Sequence, residues 1–269
     1  MNTDIKFENC HVMLGVCLER MKEIPDNSID LTVTSPPYDN LRTYKGYSFD
    51  FEGIAKELYR ITKDGGVVIW VVNDATINGS ETGTSFRQAL YFKDVCGFNL
   101  HDTMIYYKDA ISFPDKHRYQ QCFEYMFVLS KGTPKCKNII HDRLNLSFGR
   151  KVTGTNRTKT GELKRASCYG NDIKQFGARW NVWSIPTNKG NVRNKHPAAF
   201  PEQLAKDHII SWSNEGDTVF DPFTGSGTTA KMALLNNRKF IGCEIAEEYM
   251  DIIKERIENA YQQKENHIE

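Results

Sequence analysis

The chain has 269 residues, 39% hydrophobic, 26% charged and 12% aromatic, with a formal net charge of +1. That length admits one large domain or two modest ones, and that composition excludes a disordered chain, a collagen-like repeat or a coiled coil. No apolar run reaches the ~18 residues of a membrane span, and the first twenty residues lack an export pattern, so a cytoplasmic protein without a membrane partner is expected.

Taken in chain order, Ile29 to Thr34 is a short β-rich run that stops at a double proline. Phe51 to Ile61 carries apolar residues at 51, 54, 55, 58 and 61, the stripe of an amphipathic helix, ended near Asp64-Gly65-Gly66. Val67 to Val72 is apolar at every position, so both faces of that strand should be covered. Thr84 to Cys96 reads as a further helix with Phe86, Leu90 and Val95 on its buried side, and Thr103–Tyr107 and Cys122–Leu129 as strands. After residue 195 the rhythm returns. Pro201 to Trp212 is a helix with proline in its first turn. Asp217–Asp221 is a strand, Thr228–Leu235 a helix, Phe240–Ile245 a strand and Ala246–Ala260 a helix. Continuous apolar strands alternating with amphipathic helices imply an α/β fold with a largely parallel sheet.

Residues 132–195 break this pattern. The tract is rich in Gly, Asn, Thr, Lys and Arg, and reads as a loop-dominated insert. It holds 14 Lys/Arg and three acids, a net of +11 over 64 residues, which leaves 21 basic and 31 acidic side chains, a net of −10, for the rest of the chain. The near-neutral total therefore conceals a basic block inside an acidic body, and such a block suits a polyanion. The seven cysteines never form a Cys-x-x-Cys pair. They read as reduced thiols, with no metal site and no disulfide frame.

Two motifs carry chemistry. Val219 to Thr229 is a strand, a tight Gly225-Ser226-Gly227 turn and a helix start, whose bare backbone and free N–H groups suit an approaching ligand. No lysine follows the glycines, so it is not a phosphate loop. Glu244 lies 23 residues after Asp221 at the end of the next strand, where an acid that accepts from ribose hydroxyls would stand. Strand, turn, helix and terminal acid together point to a nucleoside cofactor bearing a carboxylate, such as S-adenosyl-L-methionine. Thr34-Ser35-Pro36-Pro37-Tyr38 is the second motif. Two prolines stiffen the backbone and hold the Ser35 and Pro36 carbonyls as acceptors, Ser35 adds a hydroxyl, and Tyr38 adds a flat ring. A planar base with an exocyclic amine fits: the ring stacks on Tyr38 while the amine hydrogens point at Ser35 and a backbone oxygen.

Thr-Ser-Pro-Pro-Tyr near the N-terminus and Asp221-Pro222-Phe223-Thr224-Gly225-Ser226-Gly227-Thr228-Thr229 near the C-terminus closely resemble the β group of amino-methylating DNA methyltransferases. The resemblance spans roughly residues 5 to 260. It implies a Rossmann-like methyltransferase fold with a doubly wound, mostly parallel sheet in circularly permuted order. Residues 1–131 would be the catalytic half, 132–195 the target-recognition insert and 196–269 the cofactor half. Ser35, Pro36, Pro37 and Tyr38 would be catalytic. Asp221 to Thr228, Glu244 and Ile245 would bind S-adenosyl-L-methionine, with Lys195, His196 and Pro197 lining its carboxylate. One departure stands at Gly15-Val16, where the family commonly has Gly-Asp bonding the adenine. Here adenine would rely on main-chain groups and on Val16, Phe223 and Ile245.

No Pro-Cys dipeptide occurs, so a covalent thiolate route to cytosine C5 has no candidate, and direct transfer to an exocyclic nitrogen is expected. Within the β group, serine before Pro-Pro resembles the cytosine-N4 enzymes and aspartate the adenine-N6 ones. Cytosine N4 is the first reading and adenine N6 the second. A DNA-binding homologue without catalysis and an RNA or protein amide methyltransferase are the further alternatives. The target base must be flipped from the duplex. Arg42 and Lys45, in the polar and aromatic segment after Tyr38, are candidate DNA contacts. So are Arg150, Lys151, Arg157, Lys159, Lys164, Arg165 and Arg179 in the insert, most of them for phosphates. The expected partner is double-stranded DNA. The enzyme would be the modification half of a restriction–modification pair, with a cognate restriction endonuclease, or a phage or orphan enzyme; the sequence leaves that choice and the oligomeric state open.

Overall fold

The structure, a computed structural model, describes residues 3–37, 49–109, 116–186 and 201–266. It falls into two compact units, residues 1–138 with 181–269, and residues 139–180.

In the first unit, nine strands among the described residues form one sheet. They are β1 (Ile5–Phe7), β2 (Cys10–Leu14), β3 (Ile29–Thr34), β4 (Thr62–Val72), β5 (Asn99–Tyr107), β6 (Phe123–Ser130), β7 (Val182–Ser184), β8 (Thr218–Asp221) and β9 (Lys239–Glu244). Their spatial order is β1-β2-β9-β8-β3-β4-β6-β5-β7. The run β2-β9-β8-β3-β4 is parallel throughout. β6 is antiparallel to both β4 and β5, β1 is antiparallel to β2, and β7 is parallel to β5.

Six helices among the described residues cover the sheet: α1 (Cys17–Met21), α2 (Phe51–Ile61), α3 (Thr84–Tyr91), α4 (Glu202–Trp212), α5 (Thr228–Leu235) and α6 (Glu247–Glu265). Apolar residues of α1, α2 and α3 join one buried cluster with Val68, Trp70 and Phe127. Those of α4, α5 and α6 join another with Val33, Ile69 and Val128. Alternate residues of the same strands thus feed opposite clusters, as a period of two requires. This explains the unbroken apolar run at Val67–Val72, where every residue is buried.

Several expectations shift. The expected helix over 84–96 is α-helical only to Tyr91 and widens into a π-turn over Phe92–Cys96. Its expected buried side is wrong: Phe86, Leu90 and Val95 are 48%, 50% and 59% exposed. The inward residues are Ser85, Gln88, Ala89 and Phe92. Polar partners drive that choice. The Trp70 indole donates to Gln88 Oε1 at 2.9 Å, and Ser85 donates through its amide, at 2.9 Å, and its hydroxyl to the buried Asp74 carboxylate. Pro201 is the N-cap residue rather than part of the first turn, with extended backbone at ψ 133°. The hairpin β1–β2 and the short α1 lie in a stretch for which no elements were expected.

The second unit spans 139–180, inside the expected 132–195 insert. Asn138 bonds Ile210 and Ser211 carbonyls, and β7 extends the large sheet, so 132–138 and 181–186 belong to the first unit. Within the second unit, Thr155–Arg157 pairs with Leu163–Arg165 and Arg143–Leu144 with Phe176–Gly177, both antiparallel. All six residues of the Thr155–Arg165 ribbon's strands are exposed.

Candidate active site

Four parallel strands end on the same side of the sheet. The register pairs Leu14 with Glu244, Gly242 with Asp221, and Phe220 with Thr32, so the ends of β2, β9, β8 and β3 lie in a row. Open α/β sheets bind ligands beyond such carboxyl ends. The residues that follow these ends are Gly15-Val16, Ile245, the glycine turn and Ser35-Pro36-Pro37.

The glycine turn is tied to its neighbours through backbone groups. Gly225 and Gly227 sit at φ of +55° and +83°, where L side chains are strained. A Cβ on Gly227 would stand 3.4 Å from the Ile253 Cα. The Thr224 amide bonds the Cys243 carbonyl at 2.9 Å, which fastens the turn to β9.

Glu244 is 7% exposed and accepts from the Gly225 amide (2.7 Å, Oε2) and the Ala246 amide (2.8 Å, Oε1). Each carboxylate oxygen keeps a lone pair after one such bond, so the group can still accept from a ligand's hydroxyls. Burial pushes Glu244 up to about 7, the Ala246, Gly225 and Ile245 amides oppose that, and the nearby Asp221 adds to it. The Gly15 amide bonds the Glu244 carbonyl at 2.8 Å, which brings Gly15-Val16 beside this acid, with Val16 37% exposed. The Phe223 ring packs edge-on to Phe49 at 5.7 Å. Bare backbone, a held carboxylate and adjoining apolar side chains fit an adenosine-bearing cofactor.

Asp221 is 4% exposed. Its Oδ1 accepts from the Thr34 hydroxyl at 2.7 Å and the Phe223 amide at 3.0 Å, and Thr229 also bonds the carboxyl. Burial pushes its carboxyl up to about 6 against those bonds. Asp221 therefore joins the end of β3 to the glycine turn. Thr34, the first residue of the Thr-Ser-Pro-Pro-Tyr motif, completes this joint, a role that the sequence reading did not assign to it. Its signal is a buried threonine at a strand end, indistinguishable by type from Thr32. Pro36 is buried and Ser35 and Pro37 are half-buried. Tyr38, Arg42, Lys45, Lys195, His196 and Pro197 lie outside the described residues.

All seven insert cations singled out above fall within the second unit, but they are not equivalent. Arg179 is paired with Asp142, and Lys151 with Asp172 at 3.0 Å. Arg157 donates to the Gly161 carbonyl at 3.0 Å, and the Arg165 guanidinium lies 4.5 Å from the Tyr169 ring centre. Arg150, Lys159 and Lys164 are exposed. Arg143 over the Trp180 ring, at 5.0 Å, is a further cation–aromatic pair that charge counting alone passed over.

Residues 29–255 match the N6/N4 DNA methylase family. The orphan methyltransferase M.BamHII of Bacillus amyloliquefaciens is 62% identical over 247 residues, covering 89% of this chain and 92% of that protein. The DNA adenine methyltransferase YhdJ of Escherichia coli K12 is 29% identical over 261 residues, covering 93% and 83%. The solved PvuII DNA methyltransferase, described as cytosine-N4-specific, superposes with a TM-score of 0.69 at 22% identity, covering 96% of this chain and 93% of that one. At that identity the likeness is one of fold.

Proposed function

The chain belongs to the N6/N4 DNA methylase family, and from that premise we propose that it methylates the N4 amine of cytosine in duplex DNA. S-adenosyl-L-methionine is the cofactor, and when bound it supplies an electrophilic methyl group on a sulfonium. One observation carries the reading: the Thr34 hydroxyl on Asp221 joins the Ser-Pro-Pro turn to the glycine turn, so the two binding elements share one buried joint.

The chain's residues have separable tasks. Glu244 and the glycine turn orient the adenosine. The Ser35 hydroxyl and a neighbouring carbonyl accept the two amine hydrogens of the flipped base and draw them out of the ring plane. That would localise the nitrogen lone pair for in-line attack on the sulfonium methyl, the new N–C bond forming as the S–C bond breaks to leave a neutral thioether, and the nitrogen's surplus proton would pass to water. Cys17, whose thiol feels the Glu244 charge, is pushed up to about 12 by burial, so it offers no thiolate at neutral pH. The exposed insert cations supply phosphate contacts.

Serine at position 35 supports cytosine; the E. coli relative's description as an adenine methyltransferase supports the second reading, adenine N6. The description of the Bacillus relative as an orphan enzyme supports activity without a paired nuclease. Methylation of plasmid DNA followed by base-resolution sequencing tests the reading. N4-methylcytosine at a fixed sequence is expected; N6-methyladenine alone would replace it with the second reading, and no methylation with a DNA-binding role.

A further inference from the structure

Arg256 lies on α6, whose buried side is Met250, Ile253, Ile257 and Ala260. Its guanidinium is committed to the glycine turn: Nη1 donates to the Ser226 hydroxyl at 3.0 Å and to the Thr228 hydroxyl at 3.1 Å. Both acceptor residues are 5% exposed. Burial lowers the Arg256 pKa, with Glu202 and Glu255 opposing it. Bringing a charge into this helix contact costs free energy that an apolar side chain of similar size would not, and hydrogen bonds to both hydroxyls offset it.

Ser226 and Thr228 flank Gly227, the N-cap residue of α5, which as a glycine has no side chain with which to cap that helix. Glycine loses more backbone freedom on folding than any other residue, and this turn has two of them in the left-handed region. Its shape therefore needs ties from outside, and Arg256 is one that grips both sides of Gly227. The same turn carries the Gly225 amide that orients Glu244.

We propose that Arg256 is a positioning residue for cofactor binding, holding Ser226 and Thr228 so that the glycine turn and the Glu244 carboxylate are set for the adenosine before it arrives. The inference rests on the cofactor reading above. Its test is equilibrium binding of labelled S-adenosyl-L-methionine, with initial rates and thermal midpoints, on wild-type protein, Arg256→Gln, Arg256→Lys, Ser226→Ala and the Arg256→Gln/Ser226→Ala pair.

Arg256→Gln should raise Kd and KM for the cofactor about tenfold, the scale of a lost charge-assisted hydrogen bond, while kcat at saturating cofactor stays within about twofold. Arg256→Lys should recover part of the loss, because an ammonium can reach one hydroxyl. Ser226→Ala should weaken binding by about threefold, and less in the Arg256→Gln background than alone. A lower thermal midpoint with unchanged Kd in Arg256→Gln would make Arg256 a strut between helices and overturn the proposal. Fully additive losses in the double variant would overturn it too. Should Arg256→Gln not fold, an unchanged Kd in both Arg256→Lys and Ser226→Ala would overturn it equally. Absence of saturable binding by the wild-type protein would instead overturn the cofactor reading, and this inference with it.

Discussion

The two units of this chain solve different problems with different residues. The first buries long apolar strands on both faces: Val67 to Val72 are at most 2% exposed. The second has little that is buried, and leaves Leu146 fully exposed and Trp180 69% exposed. A unit that spends its side chains on its own core has its geometry set before any partner arrives. One that leaves cations and aromatic rings outside has them available for a partner. The chemistry proposed above, which needs atoms placed to fractions of an ångström, is assigned to residues of the first.

The contrast breaks most visibly in the core. Leu58→Ala, at a fully buried position of α2, should cost about 2–5 kcal/mol of unfolding free energy. Leu146→Ala should stay within about 0.5 kcal/mol. Chemical denaturation of the two variants measures the difference, and equal losses would mean that the second unit has a core of its own.

The next effect separates chemistry from DNA affinity. Ser35→Ala should lower kcat by about 10²–10³, the scale for removing one preorganised hydrogen-bonding group that acts on the transition state. DNA affinity should hardly change. Lys159→Ala with Lys164→Ala should do the reverse, weakening DNA binding and making the salt dependence shallower by roughly one unit of log–log slope for each phosphate no longer neutralised. Single-turnover rates and salt titrations distinguish the outcomes. A salt slope unchanged by both lysine substitutions would remove Lys159 and Lys164 from the DNA surface.

These contrasts also explain what could be read from the chain alone. The strand, glycine turn and terminal acid of 218–244 were legible because each local choice agrees with the next: apolar strand, glycines at positive φ, apolar helix, then Glu244. Thr34 was not, because its role depends on Asp221, 187 residues away. The buried side of α3 was misread for a related reason. Its inward residues Ser85 and Gln88 are polar and enter the core only because Asp74 and Trp70 pair with them, and hydrophobic periodicity cannot register a pairing made in space. In the second unit there was little periodicity to read, since short exposed hairpins impose none. Arg256 escaped because a lone arginine on an amphipathic helix has the appearance of a solvated charge.

The smallest effect concerns protons, and its sign differs from that of most carboxylates. Burial raises Asp221 to about 6 and Glu244 to about 7, above their ordinary 3.8 and 4.5. Between about pH 4 and 7 the folded protein therefore holds protons that the unfolded chain has released. The contribution of these groups to stability is complete below about pH 4 and falls as pH rises through 6 and 7. Cofactor affinity should run the other way. Hydroxyls that donate to Glu244 favour its ionised form, so Kd should fall as pH rises towards about 7 and level off above it. Asp142 in the second unit is held below the usual range by Arg179, so that pair keeps its charges across the same interval. Cofactor binding measured between about pH 5.5 and 8 should show this rise in wild-type protein and lose it in Glu244→Gln. A flat wild-type profile would mean that Glu244 does not accept from the cofactor, and would move adenosine recognition to the backbone of the glycine turn.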